Sequence, residues 1–317
     1  MTAVEFIVVR GAKRILAMTI HKSQNRPLPL MKQFALLALS AAALMNFDSS
    51  AAEPPAADKP KRNVDGFMDN SFLIEEAYNQ EPGVVQHIFG AFYGVDKLKG
   101  PDDKSLLMAF TQEWPLFSQA HQFSYTVPYT FARSGGQSSD GTGDVQLNYR
   151  YQANFNKDTL TAFAPRVSLV LPTGDEPKGF GDNSWGYQFN LPFSTTLADK
   201  WCAHANAGLT FLPNAGAPPR NDLLHYNLGA SVIYAAKPDL HFMLEWISSW
   251  NEGLSDSGGL RREFASIISP GVRKAFNYAN DSQLVLGLAA PIGLTGPAPD
   301  FGVFLYVSFE HFFKRQK

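Results

Sequence analysis

The chain has 317 residues and a formal net charge of −2, with 18% charged, 45% hydrophobic and 13% aromatic side chains. That charge balance offers no basic face for a phosphate backbone and argues against a nucleic-acid partner; the charged fraction also lies below the roughly 25% of soluble domains. The one cysteine, Cys202, excludes an intramolecular disulfide, no Cys/His group has zinc spacing, and Gly141-Thr142-Gly143 is too short for a phosphate loop, so neither a metal nor a cofactor is expected.

In chain order, residues 1–30 are too long and mixed for the charged region of a signal. They read as a misannotated upstream extension, with translation starting at Met31 or Met18. Met31-Lys32-Gln33 then precedes an apolar run from Phe34 to Phe47 and a small-residue site at Ser50-Ala51-Ala52, so residues 31–52 read as a secretory signal peptide cleaved near Ala52. That run is too short for a spanning helix, which needs about twenty residues. Residues 53–82 form a periplasmic leader or plug. Its Glu53–Lys61 part is Pro- and charge-rich, and Ser71 to Tyr78 has the look of a short helix capped by Ser71.

From residue 83 the dominant period is two. Val145, Leu147, Tyr149, Tyr151 and Ala153 share one face and Gln146, Asn148, Arg150 and Gln152 the other; Phe301, Val303, Leu305, Val307 and Phe309 repeat the pattern near the end. Twelve strands are expected, near 83–93, 105–117, 121–132, 142–154, 159–172, 184–197, 200–212, 222–235, 239–250, 262–275, 281–292 and 300–313, with a tail at 314–317. Their lengths suit tilted strands crossing a bilayer. Long connections rich in Gly, Pro, Asp and Ser (94–104, 132–141, 173–183, 212–221, 251–261, 293–300) alternate with short turns (118–120, 156–158, 199–200, 237–238, 278–281). Long outer loops and short periplasmic turns are the habit of outer-membrane barrels. The expected fold is thus an all-β, transmembrane, antiparallel up-and-down barrel. Its expected partners are outer-membrane lipid, lipopolysaccharide and, during insertion, the barrel-assembly machinery.

Several stretches resemble a known family: Glu75-Glu-Ala-Tyr-Asn-Gln-Glu-Pro-Gly83, Phe110-Thr-Gln-Glu-Trp-Pro115, Gly141-Thr-Gly-Asp-Val-Gln-Leu-Asn-Tyr-Arg150, Pro165-Arg-Val-Ser-Leu-Val-Leu-Pro-Thr-Gly-Asp175 and Gly181-Asp-Asn-Ser-Trp-Gly-Tyr-Gln-Phe-Asn-Leu-Pro192. Together they resemble the bacterial outer-membrane barrels labelled for a MetA pathway of phenol degradation, over roughly residues 70–313. The resemblance implies a porin-like channel and supplies no catalytic or binding residues. The chain departs from the barrel habit of ending on an aromatic, because Phe313 is followed by Lys314-Arg315-Gln316-Lys317.

The alternation assigns Glu113, Arg150, Arg166, Glu245, Glu263, Arg273 and Glu310 to the lumen, since an Arg on the lipid face costs about 2–4 kcal/mol at the midplane. Arg166 and Glu245 count to mid-depth; Glu113, Arg150, Arg273 and Glu310 count toward the periplasm. Trp114, Trp185, Tyr187, Trp246 and Trp250 are the expected aromatic girdle. One function is a mixed-charge constriction passing small polar, aromatic or amphipathic solutes. The alternative is a non-conducting barrel filled by paired side chains. A lipid hydrolase would need a Ser–His pair on the outer face; His311 and Ser266 are the residues to test, although no Gly-x-Ser-x-Gly elbow accompanies them.

Overall fold

The computed structural model describes residues 71–97, 103–254 and 259–313. The expectations for the upstream extension, the signal peptide, residues 53–70 of the leader and the tail lie outside them. Among the described residues, seventeen strand segments run in chain order. They are β1 (Val84–Asp96), β2 (Asp103–Leu116), β3 (His121–Ser134), β4 (Gln137–Thr142), β5 (Gln146–Tyr151), β6 (Asn154–Asn156), β7 (Thr161–Phe163), β8 (Arg166–Val170) and β9 (Gly186–Asn190). There follow β10 (Phe193–Ala198), β11 (Trp201–Ala215), β12 (Asn221–Lys237), β13 (Leu240–Leu254), β14 (Leu260–Asn277), β15 (Gln283–Ala289), β16 (Ile292–Gly293) and β17 (Phe301–Phe312).

These segments form twelve staves, because β4–β6, β7–β8, β9–β10 and β15–β16 are single strands locally interrupted. Proline explains three of the interruptions. Pro165, Pro192 and Pro291 stand between β7 and β8, β9 and β10, and β15 and β16, where a residue without an N–H cannot continue the ladder. The gap between β4 and β5 faces Pro128 of β3, whose carbonyl accepts from Gly143 N at 3.0 Å. All neighbours pair antiparallel, and β17 closes on β1 from Val84↔Phe312 to Val95↔Phe301. Closure leaves no edge, as a sheet in lipid requires. Among the described residues no helix is long and apolar enough to cross a membrane; the strands do the crossing.

The two faces separate as the period of two demands. On β17, Phe301, Val303, Leu305 and Phe309 are exposed, whereas Gly302, Phe304, Tyr306 and Ser308 are buried. The outward band continues through Phe89, Phe110, Val167, Phe189, Leu228, Phe242, Leu244 and Leu288. An apolar band around a wall with polar groups inside fits lipid and not water.

The short-turn end matches the sequence reading closely, but the loop end does not. The expected loop 132–141 is a hairpin, with β3 and β4 joined through Gly135 and Gly136. Their φ values of 57° and 83° are those of a tight turn that twists with its strands and needs glycine. The expected loops 212–221 and 251–261 shrink because β11–β12 and β13–β14 extend their ladders beyond the bilayer-sized portion.

Candidate functional site

The site is inside the barrel, where residues 71–79 cross the lumen as an irregular strap. Ser71, Phe72, Leu73, Ile74, Glu75, Glu76, Ala77, Tyr78 and Asn79 are all buried. The expected helix is absent: these residues form bends without helical bonds. Its backbone donors go to the wall instead. Phe72, Leu73 and Ile74 N–H groups all donate to Glu245 Oε1, at 3.0, 2.8 and 3.3 Å, and Ala77 N donates to Ser194 Oγ at 2.8 Å. Ser71, the expected cap, shares a 2.6 Å hydrogen bond with Ser231. A single carboxylate oxygen on the wall thus accepts from three consecutive N–H groups, which at the start of a helix would have had no partner within it.

The grip is reciprocal on the other side of the lumen. Arg150 of β5 and Arg166 of β8 are direct cross-strand partners, each 2% exposed. Like charges directly opposite repel, and the strap places Glu75 between them. Glu75 Oε2 accepts from Arg166 Nε at 2.9 Å and from Asn190 Nδ2 at 2.6 Å; Glu75 Oε1 accepts from Arg150 Nη1 at 3.3 Å. Arg150 also donates to Asn79 Oδ1 at 2.8 Å and to the strap carbonyls of Glu76 and Tyr78 at 3.0 and 2.5 Å. Gln152 Nε2 reaches the Ala77 carbonyl at 2.8 Å. Tyr78 donates to the Leu160 carbonyl at 2.7 Å, at the short-turn end.

The lumen wall is itself two-sided. From β3 to β11 it presents Gln122, Ser124, Thr126, Gln146, Asn148, Ser168, Gln188, Asn190, Thr196 and Asn206, all buried. From β13 through β17 to β2 it presents Met243, Ile247, Ala265, Ile267, Val285, Ala289, Phe304, Phe92 and Leu107. The strap follows this division. Phe72 stacks on Tyr306 with centroids 5.0 Å apart and lies 5.8 Å from Phe304. Its ring fills a slot left by two glycines. A Cβ on Gly287 would overlap ring carbons Cζ and Cε1, and one on Gly271 would lie 3.0 Å from Cε2.

The remaining residues named from the sequence fall as follows. Glu113 accepts from Gln122 Nε2 at 2.8 Å and lies 4.0 Å from Arg150 Nη2. Arg273 is buried against His241, donating to Nδ1 from Nε at 3.2 Å, while His241 Nε2 faces the Pro238 carbonyl at 3.2 Å. Glu310 is half-buried at the short-turn end, opposite Gln86 and Gln283. Glu263 corrects the expectation: it pairs with Arg261 at 3.0 Å with 43% of its side chain exposed, because the extension of β14 carries it past the enclosed lumen. Arg150 and Arg166 are also not at different depths. The irregular residues between β5 and β6 and between β7 and β8 bring them level, which counting from the turn does not reveal.

Outside the barrel, Trp114 stacks near Phe123 at the short-turn end, Trp250 packs on Phe264 toward the loop end, and Trp185, Tyr187 and Trp246 are exposed. Sequence reasoning missed Trp201, which packs on Tyr234 at 4.9 Å at the first residue of β11. His311 and Ser266 are not brought together. His311 Nε2 lies 3.2 Å from His87 Nε2, while Ser266 accepts from Trp246 Nε1 and bonds to Ser248. Among the described residues no group of three or more His, Cys, Asp or Glu is placed to hold a metal ion.

Closed antiparallel staves, an apolar outer band and a polar and charged interior define an outer-membrane-type β-barrel. The family described as "Putative MetA-pathway of phenol degradation" matches residues 75–231, which bears out the resemblance carried by the motifs; the matched region begins within the strap at Glu75. No curated protein sequence matches the chain. Among solved structures, the outer membrane channel from Pseudomonas putida F1 superposes with a TM-score of 0.54 at 14% identity, covering 74% of this chain and 97% of that one. The NanC porin gives a TM-score of 0.45 at 9% identity, over 73% of this chain and 100% of its own. At these identities the likeness is one of fold.

Proposed function

We propose that the protein is an outer-membrane channel for small solutes, held closed across its lumen by residues 71–79. The observation that carries this reading is the level pair Arg150 and Arg166, whose shared counter-ion, Glu75, belongs to a segment preceding the first strand and not to the wall. On the wall, amide oxygens of Gln146, Gln188, Asn190 and Asn206 have no hydrogen-bond partner within the protein, which leaves them available to water or solute.

With the strap displaced, Arg150 and Arg166 face the lumen together and make the path anion-preferring. Planar-bilayer recordings of the refolded mature chain test this. The native protein is expected to give small, infrequent steps, and Glu75→Ala larger and longer ones with anions preferred. Silence from both proteins would favour the filled, non-conducting barrel. The hydrolase reading has no supporting geometry, because its Ser and His stand apart.

A further inference from the structure

The strap is bound by two different chemistries, and both belong to the wall. One is a flat slot: Phe72 lies against Tyr306 and Phe304 where Gly271 and Gly287 leave no room for a side chain of their own. The other is an anion clamp, in which Arg166, Asn190 and Arg150 surround one carboxylate. The slot is built from β14, β15 and β17 and the clamp from β5, β8 and β9, so they face each other across the lumen. The strap joins them with three residues of chain, from Phe72 to Glu75, a backbone reach of at most roughly 10 Å.

We infer that the wall recognises elongated aryl carboxylates, solutes with an aromatic ring at one end and a carboxylate at the other, and that Phe72 and Glu75 occupy the places such a solute takes. This rests on the reading that the strap is displaceable. It adds that both ends of the solute are needed and that their separation matters. Phenylacetate, phenylbutyrate and phenylvalerate vary that separation in steps, and the longest is expected to fill both places best. The strap is tethered and competes at an effective concentration on the order of millimolar, so solutes of ordinary affinity act in the millimolar range.

Cys202 is the means of testing this. It is the one cysteine of the chain, is 0% exposed, and lies 3.8 Å from His204. The ring of Tyr78 packs edge-on against that histidine with centroids 5.9 Å apart. Cys202 and Tyr78 belong to one buried cluster, so lifting the strap is expected to open the thiol to reagent. The mature protein in lipid vesicles is treated with a small charged methanethiosulfonate reagent. Phenylvalerate is expected to raise the rate of Cys202 modification several-fold and saturably, phenylbutyrate less and phenylacetate least. Valerate, which lacks the ring, and phenylpentanol, which lacks the carboxylate, are expected to leave it unchanged. Gly287→Ala, which fills the slot, and Arg166→Gln, which weakens the clamp, are expected to abolish the response to phenylvalerate independently of each other.

The solute class is overturned if valerate or phenylpentanol works as well as phenylvalerate. It is overturned also if no probe acts although Glu75→Gln alone speeds modification. In that last case the strap still moves and the channel reading survives. If Glu75→Gln also leaves Cys202 protected and the bilayer silent, the displaceable strap fails and the solute class falls with it.

Discussion

The two halves of the lumen wall hold the same nine-residue strap in different ways. The half built from β3 to β11 grips it through charge and hydrogen bonds, with Arg150 and Arg166 on Glu75 and Ser194 on the backbone. The half from β13 to β2 grips it through shape, around the ring of Phe72. Glu245 links the halves: it stands with Arg273, His241 and Glu113 among the apolar residues of the second half and is received by three strap N–H groups. Charge contacts are strong when complete and costly when half-removed, whereas shape contacts lose energy gradually. A segment held by both is firmly seated yet vulnerable at single atoms on one side.

Four substitutions test that contrast, read as the change in Cys202 modification rate. Glu75→Ala is expected to have the largest effect. It leaves two arginines opposed and buried, a loss of about 3 to 5 kcal/mol, and modification should accelerate at least a hundredfold. Glu245→Gln keeps an acceptor but removes its charge; an effect of about 2 kcal/mol is expected. Gly287→Ala crowds the ring and should weaken docking by about 1 to 2 kcal/mol. Ser194→Ala deprives Ala77 N of its acceptor and should shift the rate by about 1 kcal/mol. A larger effect for Gly287→Ala than for Glu75→Ala would invert the comparison and make shape the dominant grip. Arg166→Ala tests the charged side differently: the anion preference of the opened channel should fall, measured as a shift in reversal potential across a salt gradient.

The staves were legible because lipid outside and polar groups inside impose a strict alternation. Val303 and Leu305 against Phe304 and Tyr306 need only the period of two to be sorted. The inward side of Glu113, Arg150, Arg166, Glu245 and Arg273 followed from the same rule, and each is buried. What alternation does not carry is height. Glu263 has the inward parity but lies beyond the enclosed part, and the interruptions near Pro165 shift Arg166 level with Arg150. The strap was misread for a different reason. Ser71 followed by acidic residues is a local helix signal, but the first N–H groups of the segment, which a helix would have left without internal partners, found a distant carboxylate, Glu245, in β13. Nothing within the segment announces a partner so far along the chain.

The strap precedes the first strand in sequence, yet its partners lie on staves up to the last, and the seam between β1 and β17 ends where Phe313 N bonds to the Gly83 carbonyl. The strap can therefore find all its contacts only after the final strand has met the first. A stave slipped by one residue would turn Arg150 away from Arg166, or put a side chain where Gly287 leaves space for Phe72. The strap is therefore expected to dock fully only on a closed barrel in which the staves it touches are in register.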